Sequence, residues 1–320
     1  MKLLTFSLDK EKTKLGGLLE SGYVVDLQRS LGTYLIDMEG VERGREIASA
    51  LIPNDMTEFI QGGSRALEAA KIALEYGSQR EQEFLDHGIL IPEPKITYWA
   101  PVTKPAKIIC AGGNFSEQLE DRGVSVPEVP VGFIKVQSAL VGHKCPVILK
   151  ENMQLVDYEV ELAVIIGKRV ENISKENALD CVLGYSVFND ISERSIQRKE
   201  MSRGSVMAGK NFDTFAPIGP YLFTKDEVRN PCDLNLKLKV NGAIRQDSNT
   251  KNMILDVPTL ISYWSSVMTL EPGDIITTGT PGGVAMTMKP DPMPFYLKLG
   301  DIMEAEIEGL GTLTNPIMKK

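Results

Sequence analysis

Asp157-Tyr-Glu-Val-Glu-Leu-Ala-Val-Ile-Ile-Gly167 is the stretch on which the fold and the chemistry of this chain both turn. Its β-branched content marks a strand. Side chains alternate along a strand, so Glu159 and Glu161 project from one face while Val160, Leu162 and Val164 project from the other. Two neighbouring carboxylates repel each other. A divalent cation turns that cost into binding energy, because hard cations take several carboxylate oxygens. The plainer alternative is a solvent-facing strand edge, since charged residues are mostly exposed.

Around this strand the chain is rich in β signals: Val147-Ile148-Leu149, Tyr185 to Phe188, Leu234 to Val240, Ile275 to Thr278 and Met303 to Ile307. Turn residues separate them, and Asn241-Gly242 is a strong hairpin signal. Helical pattern there is sparse, mainly around 175–181 and 256–267. On the N-terminal side, Pro92, Pro94, Pro101 and Pro105 prevent continuous helix or central strand. The boundary is placed near residue 98. Residues 1–28 read as short strands with turns at Gly16-Gly17 and Glu20-Ser21-Gly22, and Leu67, Ala70 and Leu74 recur at helical spacing between Ser64 and Gly77. The expected class is therefore α+β and β-rich, with a small α+β domain over 1–98 and a larger mixed-sheet domain over 99–320, and no regular βαβ alternation.

The chain has 320 residues, enough for two domains, of which 42% are hydrophobic and 24% charged, as in an ordinary globular protein. Its formal charge of -8 gives no electrostatic reason to bind nucleic acid or anionic membranes. Asp9 and Lys10 interrupt the first apolar stretch too early for a signal peptide, and no run approaches a membrane span. Cys110, Cys145, Cys181 and Cys232 form no Cys-x-x-Cys and are too few to staple such a chain, so a reduced, cytoplasmic setting is expected. His87 and His143 are the only histidines. With neither His nor Cys clustered, any metal must be held by oxygen, which selects Mg²⁺, Mn²⁺ or Ca²⁺.

A third acid, Asp190, ends the apolar strand Gly184-Tyr-Ser-Val-Phe-Asn-Asp190, where it either joins such a site or caps the turn beyond it. Further on, Leu270-Glu-Pro-Gly-Asp-Ile-Ile-Thr-Thr-Gly-Thr-Pro-Gly-Gly283 combines a strand with a glycine-rich bend whose N–H groups and Thr280 hydroxyl can face an anion. It lacks the Gly-Lys-Ser/Thr of a P-loop, and no G-x-G-x-x-G is present.

The order of these segments resembles the fumarylacetoacetate hydrolase family. Asp157-Tyr158-Glu159-x-Glu161, Gly184-Tyr185-x-x-x-Asn189-Asp190, Arg194-x-x-Gln197, Gly209-Lys210-x-Phe-Asp-Thr-Phe-Ala-Pro217, Val240-Asn241-Gly242-x-x-Arg245-Gln246, Met268 to Asp274 and Thr278-Gly-Thr-Pro281 occur in the family's order, and the likeness covers about 100–316. The resemblance implies a β-roll of mixed sheets, usually a homodimer. It makes Glu159, Glu161 and Asp190 the metal ligands and places Lys210, Arg194, Gln197 and Thr280 in the substrate pocket, with Lys135 bordering it.

That resemblance also implies C–C bond hydrolysis of an acylpyruvate-like 2-oxo acid through an enolate held by the metal, with Lys210 the cation beside the developing charge. One departure alters this expectation. Where the family hydrolases carry a water-activating His, this chain has Gln118, while the acidic partner remains as Asp121. Glutamine has no titratable proton and cannot be a general base, which leaves Glu117, Asp121 or the distant His143. Hydrolysis is thus accompanied by an alternative, a lyase or isomerase acting on a 2-oxo acid, and by a non-catalytic 2-oxo acid binder.

Overall fold

The computed structural model of the protein describes residues 1–9 and 12–320. Val160–Ile166 is a central strand, paired antiparallel to Val182–Asn189 on one side and to Ile275–Thr277 on the other. Every residue in it is buried. Its two faces go to different partners. Val160, Leu162, Val164 and Ile166 join a core with Leu236, Leu238, Met303, Ile307 and Leu313 of a second sheet. Ala163 and Ile165 join a core with Leu31, Phe59 and Ala70 from the N-terminal helices. A strand covered on both faces reads as a continuous apolar run, and Leu162 to Ile166 is such a run.

The large sheet has twelve strands, along the path 90–92, 23–26, 14–18, 2–7, 216–224, 182–189, 160–166, 275–277, 108–112 and 131–135, with 97–98 and 140–141 attached laterally. Ile275–Thr277 runs parallel to Ile108–Gly112, so the sheet is mixed. The second sheet orders 243–249, 235–240, 302–307, 311–319 and 147–149. Its hairpin turns at Asn241 and Gly242, both at positive φ (51° and 77°), as an Asn-Gly type I′ turn requires. The architecture is the β-rich, mixed-sheet α+β fold that the pattern of the sequence indicates.

Residues on either side of position 98 share one sheet, because Lys2–Ser7 pairs with Ala216–Thr224, and they share the second core as well. Helices Leu27–Asp37, Gly44–Leu51, Met56–Gln61 and Gly63–Gln79 cover that face. Ala216–Thr224 carries Pro217 and Pro220, which mask it as a strand in the sequence. The ladder to Val182–Asn189 is irregular between Tyr185 and Val187, opposite Pro220, and Pro217 lies beyond its last paired residue, Ile218, so neither proline interrupts a regular stretch of that ladder.

His143 lies in the seam between the two halves. Its ring stands edge-on to Tyr98, and the Thr314 N–H donates to its Nδ1 at 3.0 Å. Burial, helped by Lys144, lowers its pKa to about 4. Unfolding restores an ordinary value near 6.5, so the unfolded chain binds the extra proton between about pH 6.5 and 4 and stability is lost as pH falls through that window. From pH 7 to 5 we expect the wild type to lose about 2 kcal/mol on this account. Chemical denaturation of His143→Gln at both pH values checks this, with a shallower pH dependence as the expected outcome.

Candidate active site

The register of two strands builds the centre of the site. Val160 pairs with Asn189, and the Asp190 N–H donates to the Glu159 carbonyl at 2.8 Å, so Asp190 arrives beside Glu159 and Glu161. One ligand atom from each of the three carboxylates lies within 4.8 Å of the others, and all three residues are buried. The solvent-facing reading of the Glu pair is excluded by that burial. Asp190 is no helix cap here: the helix Arg194–Met201 is capped by Glu193, whose carboxylate accepts from the Ile196 N–H.

Three buried cations face the acids. Lys210 Nζ donates to Glu159 Oε2 at 2.7 Å and to Asp190 Oδ2 at 2.5 Å. Lys135 Nζ donates to Asp190 Oδ1 at 2.6 Å and also to the Lys210 carbonyl, tying the Lys210 loop to the site. Arg194 donates to Glu159 Oε1 at 2.6 Å, to Asp157 Oδ2 at 2.8 Å and to Gln197 Oε1 at 2.8 Å. Asp157 is fixed in turn by the N–H groups of Ala285 and Met286. Burial would raise the Glu159 pKa, but Lys210 and Arg194 hold it below the usual carboxylate range.

Glu161 is different. Its partner is the Gly279 N–H at 3.0 Å, and neither a Lys nor an Arg reaches its carboxylate with a hydrogen bond or ion pair among the described residues. Burial, with Asp190 and Glu159 alongside, pushes its pKa well above the ordinary value. Four acids (Asp157, Glu159, Glu161, Asp190) thus meet three cations (Lys135, Lys210, Arg194), leaving the cluster one positive charge short at Glu161. A buried, all-carboxylate donor set that lacks one cation fits a hard divalent metal.

Two glycines permit these approaches. Gly279 sits at φ +82° beside Asn114, and a Cβ on Gly209 would lie 2.7 Å from the Gln197 backbone nitrogen. Neither position tolerates a side chain without displacing Thr280 or Lys210.

Glu159, Glu161, Lys210, Arg194, Gln197 and Thr280 line one cavity of about 340 Å³. Lys135 stands behind it, buried. Gln118 also lines it, and its buried Oε1 has no hydrogen-bond partner. Glu117 and Asp121, on the same helix Ser116–Arg122, do not line it. Glu117 Oε1 accepts from Ser248 and Asn252, and Asp121 Oδ2 accepts from the Gly283 N–H. His143, held in its seam by Thr314, is absent from the lining.

Asp157 and Gln246 have roles that the sequence does not announce. Gln246 accepts from the Val160 N–H at 2.9 Å and donates to Thr280 Oγ1 at 2.8 Å, so it locks the strand carrying both glutamates to the threonine. Its place in the Val240-Asn241-Gly242-x-x-Arg245-Gln246 segment is a signal for it in the chain, and that segment does not say what Gln246 binds.

Residues 107–318 match the family described as Fumarylacetoacetate (FAA) hydrolase C-terminal. A mitochondrial oxaloacetate tautomerase of Xenopus laevis is 40% identical over 267 residues, covering 83% of this chain and 79% of that protein. Among solved structures, a 5-carboxymethyl-2-hydroxymuconate delta-isomerase from Mycobacterium smegmatis is 37% identical, covers 72% of this chain and 85% of its own, and superposes with a TM-score of 0.62. A fumarylacetoacetate hydrolase from Exiguobacterium antarcticum is 31% identical over the whole of both chains, with a TM-score of 0.73. Among the described residues no helix is long and apolar enough to cross a membrane.

Proposed function

This chain is an enzyme of the fumarylacetoacetate hydrolase family, and from that premise we propose that it interconverts the keto and enol forms of a small 2-oxo acid. The observation that carries this reading is Gln118. It faces the cavity where a water-activating base would stand, while Glu117 and Asp121 are turned to other partners. Tautomerisation moves one proton between carbon 3 and the keto oxygen and needs no nucleophilic water. The isomerase alternative therefore stands ahead of hydrolysis, in keeping with the tautomerase and isomerase relatives.

Glu159, Glu161 and Asp190 would hold Mg²⁺ or Mn²⁺, which when bound supplies a Lewis acid for the substrate's carboxylate and keto oxygens. Lys210 is kept protonated, since Asp190 and Glu159 outweigh the effect of burial and raise its pKa. Two of its three N–H groups are spent on those acids, which leaves one for the oxygen on which negative charge grows. In the keto-to-enol direction carbon 3 gives one proton to water and the oxygen takes one from Lys210, which water reprotonates, so that no net proton is gained or lost; the partnerless Oε1 of Gln118 accepts from the resulting enol hydroxyl. Arg194, clamped by Asp157 and Glu159, fixes Gln197 for the substrate carboxylate.

We further propose a homodimer, as the family resemblance implies, and a reducing compartment, which suits Cys110, Cys181 and Cys232, none of them in a disulfide.

The test monitors the ultraviolet absorbance of enol-oxaloacetate with metal-loaded protein, alongside an acylpyruvate panel analysed for cleavage products. Faster enol decay without acylpyruvate cleavage is expected. Chelation should abolish the acceleration and added Mg²⁺ or Mn²⁺ should restore it. Acylpyruvate cleavage without tautomerisation would return the hydrolase reading to first place, and turnover indifferent to chelator would sink the metal site.

A further inference from the structure

Gln197 and Lys210 reach the cavity from the two ends of one connection, and that connection runs over the surface. Among residues 201–208 only Val206 is half-buried and the rest are exposed, whereas Lys210 is 2% exposed. An exposed loop thus delivers the lysine at the centre of the proposed chemistry. Its own residues do little to fix its course. Ser202-Arg-Gly-Ser-Val-Met-Ala-Gly209 is made largely of small side chains, and Gly204 stands at φ +74°.

The restraint comes from the helix before it. Glu200, next to last in Arg194–Met201, accepts from the Ala208 N–H at 2.6 Å, the Gly209 N–H at 3.0 Å and the Met207 N–H at 3.3 Å. These groups open the turn Ala208–Lys210, and a helical turn leaves its first N–H groups without partners of its own. Burial works against the ionisation of Glu200, but the N–H groups outweigh it and hold its pKa below the usual carboxylate range. Among the described residues no Lys or Arg shares this carboxylate. Water could satisfy the same donors at so exposed a place, yet it would not hold them in position.

The turn passes that position on to Lys210. The Lys210 N–H donates to the Met207 carbonyl at 3.1 Å, and Gly209 lies so close to Gln197 that a Cβ would stand 2.7 Å from its backbone nitrogen. Lys210 Nζ then meets Glu159 at 2.7 Å and Asp190 at 2.5 Å. From this chain of bonds we infer that Glu200 is a positioning residue, whose carboxylate sets the course of the 202–209 loop and so the place from which Lys210 donates to the substrate. Glu200 does not line the cavity, and it lies outside both the Arg194-x-x-Gln197 and the Gly209-Lys210 segments. The inference rests on reading Lys210 as the donor to the growing oxyanion.

Glu200→Gln tests this, because the amide keeps the size of the side chain but sets an NH₂ donor against the N–H groups of the loop. With metal-loaded protein and enol-oxaloacetate, kcat is expected to fall about 10- to 100-fold while KM stays within about threefold, the cost of displacing one group by about 1 Å. In a Lys210→Met background the same substitution should change kcat by less than about twofold, since Glu200 acts through Lys210. A readout independent of turnover is acetylation of Lys210 by acetic anhydride in metal-free protein, followed by peptide mass spectrometry with the exposed Lys168 as reference. The Lys210 rate should rise at least about tenfold in Glu200→Gln, as local opening allows. A Lys210 rate within about twofold of wild type overturns the assignment whatever the turnover. So does a further fall of about tenfold or more in the double variant, which would place the action of Glu200 elsewhere. A melting point lowered by more than about 10 °C overturns it too, by making Glu200 a residue of the fold at large. A wild type without enol turnover defeats the tautomerase proposal instead, and acetylation then decides the placement of Lys210 by itself.

Discussion

Lys210→Met is expected to lower kcat for 2-oxo acid turnover by about 10² to 10³-fold, the usual cost of removing one preorganised donor from a developing oxyanion. The side chain keeps its length and loses its charge. Glu159 and Asp190 would both lose a bond of 2.7 Å or shorter in a buried site. Breaking a buried ion pair from one side typically costs about 3 to 5 kcal/mol, so the metal-free variant should melt well below wild type. A divalent ion supplies part of the missing charge, and the loss of stability should shrink when Mg²⁺ or Mn²⁺ is added. Steady-state kinetics and thermal melts with and without metal report the two effects separately. Wild-type kcat in a folded Lys210→Met protein would remove Lys210 from the chemistry. Equal destabilisation in the presence and absence of metal would show that the lysine and the ion do not share one charge cluster.

Glu161→Gln should give the opposite pairing of effects. Gln can still accept from the Gly279 N–H, so the loop that carries Thr280 keeps its anchor. What disappears is one of the three carboxylates proposed to hold the metal, and the one that no Lys or Arg reaches with a hydrogen bond or ion pair among the described residues. Metal affinity and activity are expected to fall by at least about 10²-fold, since a hard cation loses a charged ligand. The metal-free protein, by contrast, is expected to be no less stable than wild type, because the substitution removes like-charge repulsion from Asp190 and Glu159. Metal titration by calorimetry and melts in chelator check both halves. A metal-free Glu161→Gln protein less stable than wild type by more than about 1 kcal/mol would show that Glu161 serves the fold. Unchanged metal affinity would place the ion elsewhere.

Together the two substitutions separate what holds the site from what it holds. Lys210, Lys135 and Arg194 are structural counter-charges as well as proposed participants, and their loss should be felt by the empty protein. Glu161 carries a structural cost that a bound cation removes. The charge arithmetic of the cluster, four acids to three bases, is what makes the signs differ.

Much of this was legible in the chain by itself. The two-residue spacing of Glu159 and Glu161, the β-branched run behind them and the scarcity of histidine determined a strand, one acidic face and oxygen as the ligand type for any metal, because strand alternation and ligand softness are local properties. The Asn241-Gly242 turn was equally local. Gln118 was visible as a departure from the family pattern. Only the tertiary structure decided that Glu117 and Asp121 turn toward the segments at 248–252 and 283, that Asp157 and Gln246 brace the site, and that Pro217 and Pro220 lie in a strand. It alone joined residues 1–98 to the large sheet through Lys2–Ser7. Each of these depends on register or on packing between segments far apart in sequence, and a single stretch carries no signal for where its neighbours will be.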